Sequence, residues 1–207
     1  MVNLRADDAA VALREWAVTC DALARGEQIL LLRADPLETD GAGPASLPRE
    51  AFWLYPTLEG QSASRVADPY RDRMRALDDL DRDDGRVRLQ YAATAEHVER
   101  IADRDRLMAL DGHHTLNRSA VERLLEVGEP GGVLFMVLRT YRRPTAVVVE
   151  ETPEMREADG WVRVPDEQGA AVDRSRVEEE MSAVLSDERF LERKAELLQL
   201  SGSMQAM

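Results

Sequence analysis

The sequence predicts an α+β fold, a small mixed sheet or partly closed barrel bracketed by an N-terminal helix and C-terminal helices. Three observations carry this. Short apolar or alternating runs recur between residues 28 and 164, helical patterns fall between several of them, and the last stretch, "VDRSRVEEEMSAVLSDERFLERKAELLQL", contains two helical patterns. About five or six strands are expected. Residues 1–165 read as a single α+β domain and residues 166–207 as a C-terminal helical extension.

Taken in order, Leu13, Trp16, Ala17, Cys20, Leu23 and Ala24 recur at the three- and four-residue spacing of one helix face, and Gly26 stands where such a helix would close. The run "QILLLR" is short and continuously apolar, as a strand buried on both faces would be. Residues 35–50 hold three prolines and two glycines without a periodic face and read as a loop. "AFWLYP" follows as a strand ended by Pro56, and Asp68-Pro69 opens a helix with proline at its first position. In "RVRLQYAATA", Val87, Leu89 and Tyr91 alternate with polar residues in the manner of a half-buried strand.

"DRDRLMALDG" reads as a short helix and "SAVERLLEV" as a longer one, with Ser119 and Glu122 at capping-box spacing. Two strands, "VLFMVLRTY" and "TAVVVEE", are expected on either side of a turn at "RRP", and "GWVRVP" is a last short strand. Ser186 is placed to cap the second C-terminal helix.

Bulk composition narrows the environment. Hydrophobic residues make up 44% and charged residues 32%, the balance of a folded globular chain. The longest apolar stretch, "VLFMVL", is far shorter than the roughly 18–20 residues of a membrane-spanning helix, so no membrane association is expected. An N-terminus carrying Asp7 and Asp8 without an apolar block is unlike a secretory signal, which gives cytoplasmic location as the expectation. Cys20 is the sole cysteine and cannot form an internal disulfide. Acidic residues outnumber basic ones by 40 to 27, a net charge of -13, and only Lys194 among the basic residues is lysine. That pattern points to a GC-rich or salt-adapted prokaryote whose surface stays hydrated and self-repelling.

The blocks "ALREWAVTCDALARGEQILLLR", "FWLYPTLEGQ", "HHTLNRSAVERLL", "VLFMVLRTYRRP" and "GWVRV" resemble, in order and spacing, a prokaryotic family catalogued as domain of unknown function 1802. The resemblance covers about residues 11–164. It implies no activity, ligand or cofactor. Two departures stand out: Ala34-Asp35-Pro36 follows Arg33 where the family pattern has a lysine and two glycines, and Gly60 stands where it has a histidine.

Candidate sites are few. Arg33 and Arg139 end the two most apolar runs, Arg33 on the side of Ile29 and Leu31 and Arg139 on the side of Phe135 and Val137. If their strands are neighbours, both guanidiniums reach one rim and grip a phosphate or carboxylate. Tyr141, Arg142 and Arg143 extend that positive cluster, and residues 130–149 contain no acidic residue. Trp53 and Tyr55 would supply aromatic faces on the same rim. The competing reading is that strand-end arginines bury their stems and pair with the surplus carboxylates.

Candidate acid–base groups are Glu15, Glu59, His113 and His114. The two adjacent histidines suggest a metal, but His97 is the only other histidine and Asp111 the nearest oxygen donor, short of a zinc set; no metal and no cofactor is expected. A nuclease of the restriction type needs an E-x-K strand, and Lys194 lies in a terminal helix while no lysine follows Glu150 and Glu151. Phosphate-loop, dinucleotide, zinc-protease and nucleophile-elbow motifs are all missing.

The leading expectation is a binding or accessory module for an anionic ligand, a small anion or a nucleic acid. One alternative is a hydrolase-type enzyme built on Glu15, Glu59 and His113 or His114. The other is self-association or partner binding through the C-terminal helices, whose apolar residues include Val184, Leu185, Phe190, Leu191, Leu197 and Leu198.

Overall fold

The computed structural model describes residues 10–34, 47, 49–78, 85–128, 131–165 and 170–203. Its centre is an open, mixed sheet built from β1 (Ala10–Trp16), β2 (Leu30–Arg33), β3 (Ala51–Thr57), β4 (Arg86–Ile101), β5 (Val133–Glu150), β6 (Trp161–Val164) and a two-residue β7 (Ser182–Ala183). The strand order is β2-β5-β4-β3-β1-β6, with β7 added to β5. Only β1 and β3 run parallel. The α+β class stands, and the sheet is not closed into a barrel.

Seven helices flank this sheet among the described residues: α1 (Ala17–Ala24), α2 (Arg71–Asp78), α3 (Arg104–Met108), α4 (Arg118–Gly128), α5 (Pro153–Glu157), α6 (Arg174–Glu180) and α7 (Asp187–Leu200). Side chains alternate across a strand, and the apolar clusters sort accordingly. Phe135 and Val137 of β5 gather Leu107, Val121, Phe190 and Leu197 from α3, α4 and α7. Tyr141 and Val149, on the same face further along, meet Met155 of α5 and Val177 of α6. On the opposite face Leu134, Met136 and Leu138 pack with Phe52, Leu54 and the α1 residues Cys20 and Leu23.

The first helix is shorter than its periodicity predicts. Leu13–Trp16, expected as helix, belong to β1, whose residues Ala10–Leu13 are fully buried and which is paired on both edges, with β3 and with β6. Hydrogen bonding on two sides and burial of every side chain in "AVAL" outweigh helix propensity, and the helical face begins only at Ala17. The close at Gly26 is as expected: its φ is 66°, its N–H donates to the Leu23 carbonyl and the Glu27 N–H to that of Ala22. That is a Schellman close, which needs a residue free to turn left-handed.

Two further expectations are corrected. The two strands expected around "RRP" are one 18-residue strand, because the register passes from Tyr91↔Arg142 to Leu89↔Val147 and residues 143–146 stand opposite Gln90 alone. A bulge absorbs Pro144, whose missing N–H would otherwise break the ladder. The α4 cap is not Ser119 but Asn117, whose Oδ1 accepts from the Ala120 N–H at 3.0 Å and from the Ser119 hydroxyl at 2.8 Å. Pro56 also lies inside β3, at a level where that strand pairs only with β1. Ser186 does cap α7, accepting from the Arg189 N–H. The expected loop at 35–50 lies mostly outside the described residues. No helix among the described residues is long and apolar enough to cross a membrane.

Candidate functional site

β1 ends at Trp16 and passes directly into α1, and the turn sets Glu15 and Trp16, both partly buried, beside the end of β2. Glu15 Oε1 accepts from the Trp16 N–H at 2.8 Å, and Oε2 is 2.8 Å from Arg33 Nη1. Arg33 also donates to the carbonyls of Arg14, at 3.2 Å, and Asp159, at 2.9 Å. It thus ties β2 to β1 and to the turn before β6. Its neighbour in role is Arg14, which donates to the Ala158 carbonyl at 2.9 Å, pairs with Glu59 at 2.7 Å and lies 5.9 Å from the Tyr55 ring centre.

Beside Glu15 and Arg33 opens a cleft of ≈ 410 Å³, within the size range of small-molecule sites. Leu32, Leu116, Ala120, Leu124 and Val127 form its apolar wall; Glu15, Arg33, Arg65 and Arg123 are its charged groups. The segment before α4 sets the far side. The Thr115 N–H donates to Gln28 Oε1 at 2.9 Å, the Thr115 and Thr19 hydroxyls are 2.9 Å apart, and the Ala67 N–H donates to the Thr115 carbonyl at 2.8 Å. Val66 bridges Leu116, and the Asn117 N–H donates to the Arg65 carbonyl at 2.9 Å. These bonds fix Arg65 beside the start of α4.

Arg65 is exposed and makes no ion pair or side-chain hydrogen bond among the described residues. Arg123 pairs only with the exposed Glu126, at 3.3 Å. The Trp16 indole is half-buried against Val18, Val66 and Met74, and its N–H meets no acceptor among the described residues. A Cβ at Gly60 would stand 3.8 Å from Trp16 Nε1. Glycine there leaves the indole edge open.

A family model for a domain of unknown function (DUF1802) matches residues 12–196. The chain belongs to that family. No curated protein and no solved structure matches it. The match runs beyond residue 164 to include α6 and most of α7 of this DUF1802 protein. Three of the blocks that carry the resemblance, the first through Glu15-Trp16 and Arg33, the second through Gly60 and the third through Leu116–Leu124, meet at or beside the cleft.

The DUF1802 fold does not bring Arg33 and Arg139 together. Their strands are neighbours but antiparallel: Arg33 stands opposite Leu134, so Arg139 lies roughly 17 Å further along, five residues at about 3.4 Å each. They also project from opposite faces, Arg33 with Leu31 and Arg139 with Phe135 and Val137. Arg139 pairs with Asp187 at the start of α7 and sits 5.3 Å from the Phe190 ring centre and 5.6 Å from that of Tyr141. Both arginines therefore serve as internal ties, and Arg142 is exposed at the far end from the cleft.

The aromatic half of the expected rim faces the core: Trp53, Tyr55 and Tyr141 are 0%, 2% and 4% exposed. Trp53 Nε1 donates to the Ala170 carbonyl at 2.7 Å, and the Tyr55 hydroxyl donates to Glu151. Burial together with that carboxylate partner pushes the Tyr55 hydroxyl far above its ordinary pKa.

The four acid–base candidates stay apart: among the described residues none hydrogen-bonds another. Glu59 is exposed, and no three His, Cys, Asp or Glu side chains gather as a metal-ligand set among the described residues. Arg65, Arg123 and Trp16 as cleft residues were not legible as such, because 26 arginines offered no local signal to separate these two.

His114 is 2% exposed, with Nδ1 3.1 Å from the Leu116 carbonyl and Nε2 unpartnered. Burial lowers its pKa below the ordinary 6.5, against the opposing pull of Asp111. The imidazole is then neutral in the fold and donates from Nδ1. Below about pH 6.5 the unfolded chain binds a proton that the folded chain refuses, so stability is full above that pH and declines as pH falls toward the depressed value. His114→Asn keeps a donor for the carbonyl without the titration. Thermal midpoints across about pH 7.5–5.5 should fall less steeply in this variant, and equal slopes would refute the assignment.

Proposed function

We propose that this protein is a binding module for a small anionic ligand held in the cleft beside Glu15 and Arg33. One observation carries the reading: a chain of net charge -13 lines a cleft of ≈ 410 Å³ with three arginines and, among the described residues, a single carboxylate, which already has Arg33 as its partner. A local positive field inside an acidic protein draws in anions, and the apolar wall excludes water from the contact.

A compact anion is favoured over a nucleic acid. The overall negative charge repels an extended polyanion, and the aromatic residues expected to stack bases are in the core. The enzyme reading has less support, since its acid–base candidates keep separate partners.

Isothermal titration with inorganic phosphate, phosphate monoesters and short carboxylates tests this. Binding by at least one class is expected, and Arg65→Ala/Arg123→Ala should weaken it at least about tenfold, 1.4 kcal/mol, through loss of charge-assisted contacts. Because both side chains are exposed, the unliganded thermal midpoint should hardly move. Unchanged affinity in the double variant, or no binding by any anion, would overturn the reading.

A further inference from the structure

The groups lining the cleft ask more of a ligand than negative charge. Among the described residues, three guanidiniums against one carboxylate leave a local excess of two positive charges. A phosphate monoester, carrying close to two negative charges at neutral pH, answers that excess, whereas a zwitterion leaves it and a simple carboxylate answers half. Among the described residues Arg65 has no side-chain partner to give up, and Arg123 has only an exposed pair with Glu126 on its own helix, of a kind that contributes little. These two are available to grip phosphate oxygens in the forked geometry of arginine. Arg33, by contrast, already donates to Glu15 and to two backbone carbonyls and acts as a fixed positive background.

Glu15 makes the second demand. A carboxylate in an anion site repels the ligand unless the ligand also brings donors. Paired with Arg33, Glu15 has two oxygens that can each accept more than the one bond they take now. Hydroxyl groups on the body of the ligand meet that demand. The third comes from Trp16, a half-exposed indole whose edge N–H has no acceptor among the described residues and is left uncovered by Gly60. A flat ring with an acceptor atom suits both the face and the edge of that indole.

We infer that the cleft takes a nucleoside monophosphate, its phosphate between Arg65 and Arg123, its ribose hydroxyls on Glu15 and its base against Trp16, an assignment that rests on the anionic-ligand reading of this same cleft. The apolar wall of Leu116, Leu124 and Val127 covers the remaining faces. The three demands fall on three separate groups, so the ligand can be dissected piece by piece.

The experiment is titration calorimetry on the full chain with the four ribonucleoside monophosphates, a 2′,3′-dideoxynucleoside monophosphate, ribose 5-phosphate, a nucleoside and inorganic phosphate. At least one ribonucleotide should bind about tenfold or more tighter than ribose 5-phosphate, the nucleoside and inorganic phosphate. The dideoxy form should lose about tenfold on the native protein, a comparison that needs no variant to fold. Trp16→Phe, which keeps an aromatic ring for packing, should weaken the ribonucleotide several-fold, on the order of 3–10, and leave inorganic phosphate unchanged. Glu15→Gln should narrow the gap between ribo and dideoxy forms.

Equal binding of ribonucleotides and ribose 5-phosphate would overturn the base contact, and equal binding of ribo and dideoxy forms the ribose contact. In either case, continued dependence of phosphate binding on Arg65 and Arg123 would leave the anion site standing. If no phosphate compound binds at all, the nucleotide assignment fails; if short carboxylates still bind and depend on those arginines, the broader reading survives it.

Discussion

Replacing Gly132 by alanine is expected to destabilise the protein by about 3 kcal/mol or more, the sum of a left-handed backbone penalty and a main-chain clash. Gly132 leads into β5 with φ of 78°. A Cβ built there would lie 2.7 Å from the Ile101 carbonyl oxygen, 2.8 Å from its carbon and 2.9 Å from the Ala102 nitrogen. All three are backbone atoms, held by the β4–β5 ladder in which Ile101 pairs with Val133. No rotamer change relieves the contact, so the longest strand pair in the sheet must shift. The Gly132 carbonyl also accepts from Arg100 at 3.1 Å and would move with it. Equilibrium urea unfolding measures the loss, and a change below about 1 kcal/mol would show that the loop yields freely.

Phe190→Ala is expected to cost about 3–5 kcal/mol, the range for truncating a large buried aromatic. Phe190 is 2% exposed and joins Leu32, Phe135, Val137 and Leu197 in the cluster beneath α7. Its ring also lies 5.3 Å from the Arg139 guanidinium, which loses that face on truncation. Arg193 reinforces the seat by donating to the Gly26 and Glu27 carbonyls, and Lys194 by donating to that of Glu96 at 3.0 Å. The unfolding curve decides a second matter. One transition with an unchanged denaturant slope means that residues 166–207 and the sheet unfold together; an early separate transition means that the C-terminal helices form their own unit.

Much of the secondary structure was legible because it rests on local signals. The apolar "QILLLR", the alternation of Val87, Leu89 and Tyr91, the Gly26 close and the Ser186 cap each correspond to a feature of the fold. Where local signals and the fold disagree, long-range pairing is the cause. Leu13–Trp16 carry the start of a helical pattern and became the end of a strand because β3 pairs with them throughout and β6 with Leu13. Arg143-Pro144 has the composition of a turn and became a bulge because β4 continued past it on the other side.

The site was less legible than the fold. Arg33 and Arg139 share the same local pattern, an apolar run ended by arginine, and a pattern says nothing of which way its strand runs. The antiparallel pairing of β2 and β5 and the parity of the two positions put them at opposite ends and on opposite faces, one held by Glu15 and the other by Asp187. Arg65 and Arg123 sit in a loop and on a helix with no motif around them, and only the bonds of Thr115 and Asn117 to Gln28, Ala67 and Arg65 bring them to one cleft. By itself the sequence determined the α+β class, the net negative charge, the lack of known phosphate-loop and hydrolase motifs and most element positions, because composition is additive and propensity and periodicity act over a few residues. Tertiary structure alone decided strand order, direction and face, and with them which charges meet, because those depend on hydrogen bonds and packing between residues far apart in the chain.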